Sequence, residues 1–332
     1  MKKFDVFMLL LGIAVFAVVV EKVGPAEIAT ELRHVWLGLG LVLVMSSARL
    51  ILQTYSWATA LKAKGNSPSA RRLIGIRLAS QSLGYLSTFG PLLSEPLKIR
   101  LVGASADSAA STLADTGLYW FTSALFGVIG CVSAALLAGR NRYAAAWFAL
   151  PALAFLAGVA LLARQQVLLA PVGRILGGRS PGWLRKGEQI ETRIRLFRLE
   201  HPHAVHQMFW FDAICQILMA GEVAVVLWAL GQPVQILTVF AIEACTRAVK
   251  AAAGWVPARI GADESGAIAA FAAFGLSPAS GFALAITRRT RDLLWCVGGL
   301  SWLLWKAHRS RAKHESPIEV QVQVEEQVLC RL

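Results

Sequence analysis

The sequence predicts an all-α polytopic integral membrane protein, with about six full spans plus two re-entrant broken-helix pairs in inverted-topology repeats. Three observations carry this expectation. Apolar residues are gathered into long runs, each half of the chain breaks one run at a proline followed by an acid, and basic residues cluster where runs end. Hydrophobic residues make up 56% of the 332 and charged residues 16%, against about half and about a quarter in soluble domains. The excess lies in runs such as Val6 to Val20, Val35 to Ala48, Leu118 to Ala138 and Ala144 to Ala163. A bilayer core about 30 Å thick needs roughly 20 such residues per spanning helix.

The first span covers about Asp5 to Val20. Lys2 and Lys3 precede it as they would in a signal peptide, but no small-x-small cleavage pattern follows, so the sequence reads as a retained span. Span two runs from about Val35 to Leu61, and Gly65-Asn66-Ser67-Pro68 turns the chain. Leu73 to Phe89 is apolar enough to enter the membrane yet carries Arg77, Ser80, Gln81 and Ser82. It meets a break at Gly90-Pro91, then Glu95, and a short return helix is expected over Leu97 to Val102. Spans three and four follow at about Ala109 to Ala138 and Tyr143 to Ala163, with Arg140-Asn141-Arg142 between them.

Residues 164–206 read as a long basic connection, in which Ile190 to Leu199 has the near-helical spacing of a membrane-surface segment. Repeat one then covers about 35–163 and repeat two about 207–306, within a membrane domain of 1–306 and ahead of a tail of 307–332. Span five lies at about Gln207 to Leu230. Val234 to Ala253 enters next and breaks at Gly254-Trp255-Val256-Pro257, with Gly261 close behind. Asp263-Glu264 opens a short helix to Phe274, and Ala279 to Trp305 is the last span. Arg77 precedes Glu95 by 18 residues and Arg247 precedes Glu264 by 17. One broken pair would enter from the cytoplasm and the other from outside, the pattern of inverted repeats whose broken helices meet at a midplane site.

The net charge of +13 invites a nucleic-acid reading, but position opposes it. Of 33 Lys and Arg, 17 fall in Lys62 to Arg77, Arg164 to Arg198 and Lys306 to Lys313. Clustering beside spans follows the positive-inside rule and assigns these stretches, and both termini, to the cytoplasm; the location expected is a bacterial inner membrane. No basic stripe is interleaved with aromatics for stacking bases. The five cysteines form no CxxC, and three histidines at 201, 203 and 206 lack ligand spacing. No nucleophile, metal set or cofactor loop is visible, so neither an enzyme nor a cofactor is expected.

Arg288, Arg289, Arg291 and Asp292 interrupt the middle of the last span. A central Arg costs about 2.5–3.5 kcal/mol on insertion scales. Internal neutralisation accounts for part of the group, since Arg288 with Asp292 and Glu243 with Arg247 are i,i+4 pairs. A shifted helix with its arginines at the interface is a second account. The sharper reading is a cationic pocket for a phosphate, with Arg forks and the helix start near Asp263 as donors. Candidate binding residues are Arg77, Glu95, Arg247, Arg259, Glu264, Arg288 and Arg291, and Gly90, Pro91, Pro257 and Gly261 are the helix breaks. Helix capping serves equally for Glu95 and Glu264. Arg49 and Gln53 share a face of span two, either lining a cavity or snorkelling, whereas Asp115, Asp212 and Glu222 stand as isolated acids.

Gly84-Tyr85-Leu86-Ser87-Thr88-Phe89-Gly90-Pro91-Leu92-Leu93-Ser94-Glu95 resembles the first signature of the lysylphosphatidylglycerol-synthase transmembrane, or flippase-like, family. Pro257-Ala258-Arg259-Ile260-Gly261-Ala262-Asp263-Glu264, with Gly275 and Arg288 or Arg289, resembles the second. The first signature departs from the family at Ser87-Thr88, where an Asn is usual before the proline, and at Ser94, where Gly is usual before the acid. The resemblance implies a stand-alone membrane domain, without the aminoacyl-transferase, that moves an anionic phospholipid or related lipid between leaflets. A membrane lipid with an anionic headgroup is the implied partner, and a lipid-synthesis enzyme is a second. Two other readings stay open: a secondary transporter of a small organic anion, and a non-transporting membrane partner of such an enzyme. On the pocket reading, Arg288→Ala and Arg291→Ala are expected to abolish transfer.

Overall fold

The computed structural model describes residues 35–87, 90–103, 105–138, 192–253, 256 and 259–329, with isolated positions 21, 30, 153, 156 and 157. The spans expected over 5–20 and 143–163, the Arg140 turn and Pro257 lie outside the described residues, isolated positions aside. The described residues are helical and contain no strand.

Helix α1, Trp36–Ala63, has 28 residues, a length of ~42 Å at 1.5 Å per residue. It ends at Lys62 and Ala63, with Gly65 (φ 77°) taking the left-handed turn. Helix α2, Ala70–Leu86, stops at an extended Ser87. Helix α3 then runs from Gly90 to Gly103 with Pro96 inside it. The interruption therefore precedes Gly90, and the return helix starts seven residues earlier than the expected Leu97. Pro91 explains the shift: in a first turn its missing N–H would have had no partner, and its fixed φ suits a helix start. Helix α4, Ala106–Leu137, is capped by Ser105, whose hydroxyl accepts the Ser108 amide at 3.1 Å.

Helix α5 covers 192–200 in the basic connection. Helix α6, Pro202–Ala229, again starts on proline. Helix α7 is Ile236–Ala252, α8 is Ala262–Ala273 and α9 is Pro278–Leu329. Both halves thus follow one plan: 28, 17, 14 and 32 residues in α1 to α4, then 28, 17, 12 and 52 in α6 to α9.

Contacts between the halves follow the same plan. The two first helices, α1 and α6, lie against each other. The 17-residue helix of each half packs on the long helix of the other, α2 on α9 and α7 on α4. Small residues permit these approaches. A Cβ on Gly130 of α4 would strike the Phe240 carbonyl and Ala244 of α7. A Cβ on Gly299 of α9 would strike Leu78 and Ser82 of α2. One apolar cluster joins Val42, Val223, Leu227, Ile242, Phe271 and Leu284, and a second joins Trp57, Leu61, Leu73, Ile76 and Val102.

Polarity runs opposite to that of a soluble protein. Arg77, Asp115, Asp212, Glu222, Glu243, Arg288 and Arg291 are buried, whereas Val44, Trp120, Val132, Ile217, Trp228 and Val297 are exposed. Among the described residues, Gly38–Ala63, Ala106–Leu137 and Pro202–Ala229 are helices long and apolar enough to cross a membrane.

Candidate functional site

Four cations and one carboxylate meet in a cavity of about 420 Å³ between the halves: Arg49 of α1, Lys250 of α7, Arg259, and Arg291 with Asp292 of α9. Gln53, Gln81, Tyr85 and Ser94 also line it. Both broken segments reach its wall, the first through Tyr85 and Ser94 and the second through Arg259. The Arg259 guanidinium lies 5.4 Å from the centre of the Tyr85 ring, a cation–π contact that joins them.

Behind the wall the charges are arranged in pairs. Glu222 of α6 accepts from Arg291 and lies 3.6 Å from both Arg288 and Arg49. Glu243 of α7 accepts from Arg247 at 2.9 Å and from Arg288 at 2.6 Å. Asp292 accepts from Arg291 at 2.8 Å and faces Arg259 at 4.0 Å. Arg259 also donates to Asp263 at 3.1 Å. The expected Arg247–Glu243 pair is therefore present, while Arg288 turns to Glu222 and Glu243 instead of Asp292.

Glu264 is fully buried, accepts the Gly261 amide at 2.9 Å and pairs with Arg289 at 2.8 Å. It closes the start of α8, and Gly261 (φ 81°) supplies the left-handed backbone that this start requires. Capping is thus a role Glu264 does perform. Arg259 itself has φ 49°, in the region where residues with a side chain are uncommon.

Of the residues proposed from sequence, Arg259 and Arg291 line the cavity, while Arg247, Arg288 and Glu264 stand behind it. Arg77 and Glu95 belong to a separate cluster. Arg77 donates to the Gln53 carbonyl and lies 3.6 Å from Asp115. Glu95 binds Lys98 at 2.7 Å and Thr116 at 2.9 Å. Gly90 and Pro91 begin α3, and Pro257 lies outside the described residues.

Lys250, a cation left over once the i,i+4 pairs are counted, and Glu222 were not among the binding residues expected from sequence. Lys250 has no carboxylate within ion-pair distance among the described residues, and its charged neighbours are Arg288 and Arg259 as well as Asp263 and Asp292. Its signal was a Lys three residues after Arg247 in an apolar run. Glu222 is not an isolated acid, since three arginines from two other helices converge on it. Its signal was only an acid in a span, which a functional reading by default would have kept.

A helical bundle with apolar faces outward and a charged cavity inside defines a polytopic membrane protein. The chain belongs to the lysylphosphatidylglycerol synthase TM region family, whose model matches residues 6–298. No curated protein and no solved structure matches the chain. Membership links the chain to membrane-lipid metabolism.

Proposed function

We propose that the protein is a flippase-like transporter that carries an anionic phospholipid, or a related lipid, between leaflets. The observation that carries this reading is the cavity, with Arg49, Lys250, Arg259 and Arg291 against Asp292 alone among the described residues on its wall. An anion entering there would balance the surplus. Lys250 is the cation with most to gain, because it is partly buried on the cavity wall and has no carboxylate within ion-pair distance among the described residues. Arg259, held over Tyr85 and against Asp263, offers its remaining donors in a fixed plane suited to phosphate oxygens. The acyl chains would remain in the bilayer.

The matching helix plans of the halves support inverted-topology repeats, with α2–α3 and α7–α8 as the broken pairs entering from opposite sides. The paired burial of Arg288 by Glu222 and Glu243 alters which residues report on substrate. Truncating Arg288 takes one cation from each of two buried acids, leaving Glu222 to Arg291 and Arg49 and Glu243 to Arg247, so a loss of transfer in Arg288→Ala would be mixed with a loss of stability.

The test is transfer of fluorescent phosphatidylglycerol in vesicles reconstituted with the purified chain, followed by quencher access to each leaflet. Lys250→Gln is expected to slow transfer about tenfold, the effect of losing one charge-assisted hydrogen bond. Unchanged transfer in both Lys250→Gln and Arg259→Gln would remove the cavity as the headgroup site. If the free glycerol-phosphate headgroup competes fully with the lipid, a water-soluble organic anion becomes the substrate instead.

A further inference from the structure

A second buried cluster lies beside the cavity and holds two acids with too few cations. Asp115 of α4 and Asp212 of α6 are 2% and 1% exposed. Ser56 of α1 stands beside both carboxyls. Arg77 of α2 is 3.6 Å from Asp115 and reaches no closer pairing with Asp212. One oxygen of each carboxyl, Oδ1 of Asp115 and Oδ2 of Asp212, is buried with no hydrogen-bond partner among the described residues. From α3, Lys98 and Glu95 face the cluster, but they neutralise each other at 2.7 Å. Cys215, one turn along α6, donates to the Arg49 carbonyl. The charges of α7 and α9 meet α6 at Glu222, ten residues on and ~15 Å away along the helix.

The balance is one guanidinium against two carboxylates. A second buried carboxylate with no cation is strongly disfavoured in an apolar interior, and a carboxyl in that position neutralises by taking a proton. The two orphaned oxygens are where it would sit. The cluster is also wired to the cavity. Arg49, Gln53 and Ser56 share one face of α1 at i, i+4 and i+7. Arg49 and Gln53 line the cavity, the Gln53 carbonyl accepts from Arg77, and Ser56 adjoins the acids.

We propose that Asp115 and Asp212, with Arg77 beside Asp115 and bonded to the carbonyl of the cavity-lining Gln53, form a proton-binding site that loads and releases one proton as lipid crosses. The proton is taken from water on one side onto a carboxylate oxygen and returned to water on the other, with no other bond made or broken. This rests on the transport reading for its use, though the site itself is testable without it.

The experiment uses the purified full chain in vesicles of phosphatidylcholine and phosphatidylglycerol. Infrared difference spectra at neutral pH are expected to contain a protonated-carboxyl stretch that Asp115→Asn or Asp212→Asn removes. A hydrophobic carbodiimide, which takes the proton of a protonated carboxyl and is then attacked at carbon by the carboxylate oxygen, is expected to label one of these two acids in the unaltered chain. That readout does not depend on any variant folding. A pH difference of one unit across the vesicle is expected to shift the leaflet ratio of fluorescent phosphatidylglycerol about tenfold for one proton per lipid, and both Asn variants are expected to lose that response. Absence of the stretch and of the labelling overturns the site. Lipid transfer that ignores the gradient in the unaltered chain overturns the coupling. If the unaltered chain moves no lipid while the stretch and labelling are present, the transport reading fails and the proton site stands.

Discussion

Single residues divide into those that hold the charged interior together and those left to meet a ligand. Glu222 belongs to the first group, because three arginines converge on it and it is 1% exposed. Glu222→Gln is expected to destabilise the protein by about 3–5 kcal/mol, the cost of leaving buried charge uncompensated, read as a fall of several degrees in the thermal midpoint in detergent. Lys250→Gln is expected to leave that midpoint within error, since no ion pair is lost. Opposite rankings of the two variants by stability and by lipid transfer would separate scaffold from site. Arginine content was legible in the sequence, but partners were not. Residues 222, 243 and 288 meet only in three dimensions, and i,i+4 spacing on one helix says nothing of an acid on another.

The packing of each 17-residue helix on the long helix of the other half depends on a close backbone approach at a glycine. Gly130→Leu is expected to push α4 off α7, and Gly299→Leu to push α9 off α2, each costing about 1–3 kcal/mol or more as overpacking. Gly40→Leu, where nothing lies within 4 Å of an added Cβ, is the control expected to be silent. The helices themselves were largely legible, because long apolar runs and turn residues set α1, α4, α6, α7 and α8 within a few residues of their expected bounds. The first break was displaced because proline has two opposite meanings. Inside a helix it stops the hydrogen-bond ladder, and in the first turn it starts one. Pro91 has the second role.

At the scale of the whole molecule, inverted repeats make a prediction about sidedness. The Lys64–Ser69 turn and the Gly231–Gln235 turn occupy corresponding places in the two halves and should face opposite sides. Cysteines introduced at Asn66 and Gln232, in a background without the five native ones, are expected to react with an impermeant maleimide from opposite faces of oriented vesicles. Labelling of both from one face would exclude the inverted arrangement. The basic connection adds a pH test outside the membrane helices. Lys64 at the end of α1 binds Glu200 of α5 at 2.6 Å, and this bond holds the Glu200 carboxyl below its ordinary value. A depressed carboxyl contributes above its unfolded value and loses that contribution as pH falls through the folded one. Protease sensitivity of the connection should therefore rise on acidification below the ordinary carboxylate range, and Glu200→Gln should show that sensitivity at neutral pH. Phe197 of α5, buried against Ala60, Ala114 and Met208, provides the anchor that remains.

The exchange of partners between halves also governs how the chain is made. Ser82 of α2 donates to the Cys296 carbonyl of α9, 214 positions later. A ribosome adding about 5–20 residues each second takes roughly 10–40 s to cover that distance. Throughout that interval α2 has been synthesised with Arg71, Arg72, Arg77, Gln81 and Ser82, and has α1 and α3 beside it, but lacks α9, which packs along it. Its sequence is too polar to rest in lipid alone at low cost. Its final insertion therefore belongs to the end of translation, and chains truncated before α9 should be recognised as unfinished by membrane quality control.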